Sequence, residues 1–128
     1  MVGLVVVSHS RTAAEGIREV ALEMGSDDSR IEVAGGGPDG GLGTTAPDVE
    51  RAIEAAADED GVVVLVDLGS AVMAAELAIE SAAVEAVIAD APILEGCLNA
   101  TVEASSPKAT LESVRARAEE AREYRKLQ

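Results

Sequence analysis

The chain has 128 residues, a size that builds one hydrophobic core, and residues 1–128 read as a single domain. Hydrophobic residues make up 48% but aromatic ones only 1%, one Tyr with neither Phe nor Trp, so the core must come from Val, Ile, Leu, Ala and Met. The formal net charge is −14, from 24 acidic against 10 basic residues, which argues against nucleic acid and anionic membranes as partners because both carry phosphate.

Val2–Ser8 is a short β-branched run that predicts a buried strand. A helix follows from about Thr12, with Ile17, Val20, Ala21 and Met24 at helical spacing and Gly25 as its stop. Ile31–Ala34 predicts a second strand, and GGGPDGGLGTT after it is too rich in glycine to be anything but a loop. APDVERAIEAAADED predicts a helix over 46–60 with Pro47 in its first turn. GVVVLVD is apolar on both faces, as expected of a central strand covered on both sides. Ser70 is expected to cap the next helix, AVMAAELAIESAA. A weaker strand around Val84–Ala89, a turn at DAP and a helix from about Leu94 to Ala104 follow. Ser106 and Pro107 then fit a cap and a first-turn proline opening an amphipathic helix with Leu111, Val114, Ala118 and Ala121 along one side. That helix either covers the sheet or docks a partner subunit.

Strands alternating with helices imply a parallel sheet with helices on both faces. The expected fold is α/β: three-layer, flavodoxin-like and mostly parallel, with strand order 2-1-3-4. No stretch of about 18 or more apolar residues predicts a membrane span, and no signal peptide is recognised, so a cytoplasmic location is expected. The single cysteine, Cys97, fits a small buried core residue, and Tyr124 a surface-packing one. One Cys and one His make no zinc-type cluster, so no metal site is expected. An acidic, lysine-poor, aromatic-poor composition also resembles that of salt-adapted, halophilic proteins.

In an open parallel sheet, chemistry gathers outside the carboxyl ends of the strands, near the point where the winding reverses. The only histidine, His9, lies at the first such end, the glycine loop at the second, and Asp67, Leu68, Gly69 and Ser70 at the third. With order 2-1-3-4, His9 and Asp67 become neighbours. A neutral imidazole attacks phosphorus through one nitrogen, and a carboxylate accepting the N–H of the other fixes the tautomer and stabilises the cation formed. Asp67 fits that role. Helix N-termini supply donors for a phosphoryl group, here Ser10, Arg11 and Thr12 at one helix and Gly69 with Ser70 at another. Such a site needs no metal of its own, because magnesium can travel with a nucleotide on a partner.

VVVSHS, the GGG…GLGTT loop with Gly43 and Thr44, VLVDLGSA and APILEG together resemble the mannose-type enzyme IIA domain of the bacterial phosphotransferase system. Within that family the similarity is greatest to the phosphotransferase subunits of phosphoenolpyruvate-dependent dihydroxyacetone kinases. The short DLGSA, where mannose relatives carry a longer tryptophan-containing loop, favours that branch over a sugar-transport component. The resemblance implies that His9 is transiently phosphorylated, that Asp67 orients it and that Ser70 touches the phosphoryl group. It implies a general phosphocarrier protein as donor and ADP on a nucleotide-binding subunit as acceptor, so that this chain binds no cofactor and Mg-ADP or ATP stays on the partner. It also implies a homodimer.

Two other readings compete. SHSRT is similar to the Arg-His-Gly signature of histidine phosphatases, but those enzymes need an arginine before the histidine and a second histidine; residue 8 is Ser and there is no second His. The other is a non-catalytic α/β module whose glycine loop holds an anion.

Overall fold

Four strands form the sheet: β1 (Gly3–Ser8), β2 (Ile31–Gly35), β3 (Val62–Val66) and β4 (Ala86–Ile88). A computed structural model describes residues 1–127. The strands lie in the order β2-β1-β3-β4, and every neighbouring pair is parallel. The helices are α1 (Arg11–Met24), α2 (Ala46–Ala56), α3 (Gly69–Ser81), α4 (Ile93–Ala104) and α5 (Leu111–Glu119), the last running into a 3-10 turn over Glu120–Glu123. The α/β fold and its strand order are those the sequence predicts.

Successive side chains of a strand point to opposite faces, and here both faces are buried. Leu4 and Val6 of β1 and Val63 and Leu65 of β3 enter one apolar cluster with residues of α1, α4 and α5. Val5, Val7, Val62 and Val64 enter the other with α2 and α3. A strand covered on both sides has no polar face to present, which is why β1 and β3 read as unbroken apolar runs. Without large aromatics, the helices contribute mainly alanines to the seams: Ala71, Ala74, Ala75 and Ala78 of α3, and Ala100 and Ala104 of α4. Such small side chains leave little room for substitution in a close-packed interior.

Several boundaries differ from those the sequence suggests. The second helix ends at Ala56, four residues before Asp60, because Asp58, Glu59 and Asp60 would add negative charge to the negative end of its dipole. The chain turns there instead, with Gly61 N–H donating to the Asp58 carbonyl at 3.1 Å. The fourth strand is only three residues long. Ser70 does not cap α3: the cap position is Leu68, with no side-chain hydrogen bond, and Ser70 lies in the first turn. Nor does Ser106 open the last helix. Ser106 and Pro107 form a turn, with Ser106 Oγ accepting from Lys108 N–H at 3.2 Å. The helix starts after Thr110, where Thr110 and Ser113 satisfy each other's backbone N–H groups at 3.0 and 2.9 Å. Two orphan donors are paired at once, which a lone serine four residues earlier does not achieve.

Val114 and Ala118 of α5 are fully buried in the same cluster as α4, and Ala121 is buried just beyond it. The amphipathic face therefore covers the body of this chain, as the first of the two sequence readings holds. Cys97 is buried and Tyr124 exposed. None of the helices among the described residues is long and apolar enough to cross a membrane.

Candidate active site

The winding reverses between β1 and β3. Their register pairs Val7 with Val66, while Ser8 pairs with Gly35 of β2, so the residues leaving all three strands emerge side by side. His9 follows β1 and Asp67 follows β3. Although 58 positions apart in sequence, they are joined twice: His9 backbone N–H donates to Asp67 Oδ2 at 3.0 Å, and His9 Nδ1 lies 3.1 Å from Asp67 Oδ1. The other ring nitrogen, Nε2, is hydrogen-bonded to the Ser70 hydroxyl in the first turn of α3. The imidazole is thus clamped from two sides of one loop, with about a quarter of its side-chain surface open to solvent, 23%.

Asp67 accepts four hydrogen bonds. Beyond the two from His9, Ser8 Oγ donates at 2.9 Å and Leu68 N–H at 2.7 Å. Burial alone pushes this carboxyl up; the bonds from His9 N–H, the Ser8 hydroxyl, the His9 ring and Leu68 N–H outweigh it and hold it below the ordinary carboxylate range. The group is therefore an anion at neutral pH with its lone pairs directed, and it accepts Nδ1–H. In that tautomer Nε2 carries the free electron pair and takes the Ser70 O–H as donor.

Ser8 is a site residue that the sequence reading does not pick out. It is the last residue of a strand otherwise built of Gly, Leu and Val, and only 3% exposed. A buried hydroxyl needs partners, and Ser8 has two: it donates to Asp67 and accepts from Ser10 N–H at 3.1 Å. The signal lies in the sequence as a serine on each side of His9. Gly35 approaches the same place: a Cβ there would collide with the Ser8 carbonyl oxygen, so only glycine lets β2 end beside β1.

The remaining candidates divide. Ser10 caps α1, its hydroxyl accepting from Ala13 N–H at 3.2 Å. The Arg11 and Thr12 backbone N–H groups lie in the first turn, where a helix offers no acceptor. The Arg11 side chain approaches Glu15 at 3.6 Å and Asp48 at 3.9 Å, on the side of the glycine loop, and among the described residues neither Arg11 nor Thr12 bonds the His9 ring through its side chain. Gly69 opens α3 beside Ser70 and, like Arg11, presents a first-turn N–H. Gly43 donates its N–H to the His9 carbonyl at 2.9 Å, and Thr44 follows it, half-buried. Asp48, which sequence reading passes over, ties the glycine loop to α2 by accepting from Gly35 N–H at 3.0 Å and pairing with Arg51 at 2.9 Å. Two large apolar side chains flank the site on the outside, Leu42 at 80% and Leu68 at 61% exposure. Among the described residues no cluster of three or more His, Cys, Asp or Glu side chains is arranged to hold a metal ion.

This geometry can be set beside known proteins. Residues 3–115 match the model of the family described as the phosphotransferase system fructose IIA component, EIIA-man. The chain is 45% identical over 113 residues to the Escherichia coli PEP-dependent dihydroxyacetone kinase phosphoryl donor subunit DhaM, covering 83% of this chain and 24% of that protein. It thus spans about a quarter of the length of that relative. Against the Listeria innocua PEP-dependent dihydroxyacetone kinase 2 phosphoryl donor subunit DhaM, identity is 36% over 107 residues, 80% of this chain and 86% of that one. The fold also matches a crystal structure of the unknown-function protein EF1359, with a TM-score of 0.78, 31% identity, and coverage of 93% and 94% of the two chains. The chain belongs to the mannose-type enzyme IIA family of the phosphotransferase system, in its DhaM-type branch.

Proposed function

We propose that this chain is a phosphoryl-transfer protein whose carrier atom is His9 Nε2. One observation carries the reading: Asp67 holds Nδ1, so the nitrogen left with a free pair is the one beside the Ser70 hydroxyl at the open end of the site. In the transfer, Nε2 attacks the phosphorus of a phosphorylated donor; the new N–P bond forms as the donor's bond to phosphorus breaks and its electron pair leaves with the donor. Nδ1–H keeps its proton throughout, and the Asp67 carboxylate balances the positive charge that the ring gains. Ser70 O–H turns from Nε2 to a phosphoryl oxygen, joined by the first-turn N–H groups of Gly69 and Arg11.

The donor in this reading is a histidine-phosphorylated carrier protein of the phosphotransferase system. The acceptor is ADP held with magnesium on the nucleotide-binding subunit of a dihydroxyacetone kinase; that the similar DhaM proteins are phosphoryl donor subunits of such kinases supports the kinase as the destination. No cofactor is held by this chain. Leu42 and Leu68 suit a rim that a folded protein partner dries on docking, which strengthens every electrostatic interaction inside. The protein works in the cytoplasm, as a homodimer, in the metabolism of glycerol-derived dihydroxyacetone, and its acidic surface fits a high-salt interior.

The test is incubation with phosphoenolpyruvate carrying labelled phosphate, enzyme I and phosphocarrier protein. Label that is acid-labile, located on His9 and absent from His9→Gln supports the reading. Label on another residue, or none with the fold intact, overturns it.

A further inference from the structure

We propose that Gly43 is a positioning residue for His9: its backbone N–H holds the His9 carbonyl and so fixes the peptide from which the imidazole is aimed. This deepens the phosphoryl-transfer reading and rests on it.

His9 stands between two regular elements. It follows the last residue of β1 and precedes the cap of α1, and the first carbonyl that the helix uses is that of Ser10, which accepts from Ala14 N–H at 3.1 Å. The His9 carbonyl is thus one residue short of the helix and outside the strand ladder. Its acceptor need is met by Gly43 N–H at 2.9 Å. On the other side of the same Cα, His9 N–H is held by Asp67 at 3.0 Å. Peptide planes are rigid, so tying both planes that flank one Cα sets its φ and ψ and leaves the ring only its two side-chain torsions. Asp67 and Ser70 then fix those torsions.

Residue 43 meets this role only as glycine, for a conformational reason. Its φ is +139°, a region L side chains rarely adopt, while a Cβ there would find room, with Gly37 Cα nearest at 3.6 Å. A side chain is therefore tolerated by the neighbours but not by the backbone, and relief of that strain swings the N–H away from His9. The loop that presents Gly43 is braced on itself, with Gly37 N–H on the Gly41 carbonyl at 2.7 Å and Gly40 N–H on the Gly37 carbonyl at 3.0 Å. The Gly43 N–H is committed to the His9 backbone, so its part in transfer is to aim the nucleophile.

The experiment compares Gly43→Ala with Gly40→Ala by single-turnover transfer from phosphorylated carrier protein over a range of carrier concentrations. Gly40 also has a positive φ, +88°, and nothing lies within 4 Å of a Cβ added there, but its N–H points into the loop. Misaiming a nucleophile by about 1 Å costs on the order of a hundredfold. Gly43→Ala is expected to lower the limiting rate by roughly ten- to a hundredfold, leave the half-saturating carrier concentration within about threefold, and alter the ring ¹⁵N shifts of His9. Gly40→Ala is expected to stay within about threefold in both constants. A wild-type limiting rate in Gly43→Ala, a loss confined to half-saturation, an equal loss in Gly40→Ala, or unchanged ring shifts overturns the proposal. Should Gly43→Ala not fold, the scalar coupling across Gly43 N–H···O=C His9 in the wild-type protein decides: its absence overturns the proposal and its presence supports it. Failure of the wild-type protein to take phosphate on His9 defeats the phosphoryl-transfer reading instead, and the ring shifts and the coupling still report on the positioning.

Discussion

Replacing Asp67 with asparagine changes one oxygen to NH₂ at a group that accepts four hydrogen bonds, and the structure shows what each orientation of the amide loses. With NH₂ at the Oδ2 position, it faces His9 N–H and the Ser8 hydroxyl; the hydroxyl rotates to accept, and His9 N–H is left without a partner. With NH₂ at the Oδ1 position, it faces Leu68 N–H and His9 Nδ1; the backbone N–H is orphaned, and the ring is pulled into the tautomer whose proton sits on Nε2, the nitrogen that attacks in the proposed mechanism. Either way one backbone donor loses its acceptor. Because the site is partly solvated, that costs about 1 kcal/mol, the low end for an unsatisfied group, so the fold survives. Transfer suffers more, since the ring cation formed on attack has no counter-charge in either orientation. The expected loss is roughly ten- to a thousandfold, or about 1.4–4 kcal/mol of barrier. The assay is rapid-quench transfer from phosphorylated carrier protein, with circular dichroism as the folding control. Transfer at the wild-type rate in Asp67→Asn would mean that the carboxylate does not serve the imidazole, and the mechanism fails with it.

Ser70→Ala removes a single hydrogen bond to a charged group, about 1.5–3 kcal/mol, and is expected to slow the same transfer by about 10- to 150-fold, less than Asp67→Asn; an equal or larger loss contradicts the ranking. Asp67 is held below the ordinary carboxylate range, so in acid the unfolded chain binds its proton first, and stability falls as the pH is lowered. Its contribution is complete above the unfolded value of about 3.9 and disappears as pH drops through the lower folded one; urea unfolding between about pH 2 and 6 should show a shallower slope in Asp67→Asn. Burial, only partly offset by a hydrogen bond with Thr101, pushes the Cys97 thiol up to about 11. The folded protein should therefore react with a disulfide reagent at pH 8 only as fast as it unfolds; a rate like that of a free thiol refutes the burial. Screening of 24 carboxylates should raise the melting temperature from low to molar potassium chloride, and a flat or falling curve removes the salt-adapted reading.

Much of this protein is legible in one dimension because its signals are local. An unbroken run such as GLVVVS leaves no face for water, so it declares a strand buried on both sides. Strand and helix in alternation imply a parallel sheet, and in such a sheet the strand ends bearing His9 and Asp67 are where chemistry is sought. The start of α1 is equally plain, since the donor that Ser10 caps is three residues away. What stayed hidden are choices between partners. The Ser70 hydroxyl goes to a ring 61 positions distant and not to its own helix, the last helix starts at Thr110 because Ser113 answers it, and Arg11 turns toward Asp48. Likewise, nothing in GLGTT announces that the Gly43 N–H is spent on the His9 carbonyl, or in SHS that Ser8 supports Asp67. A hydroxyl, a guanidinium or a backbone N–H bonds whichever acceptor the fold brings within about 3 Å, and that distance is set by strand pairing between segments far apart in the chain. Sequence by itself determined the order of the elements and the strand ends on which His9 and Asp67 stand; the tertiary structure decided which donor meets which acceptor there.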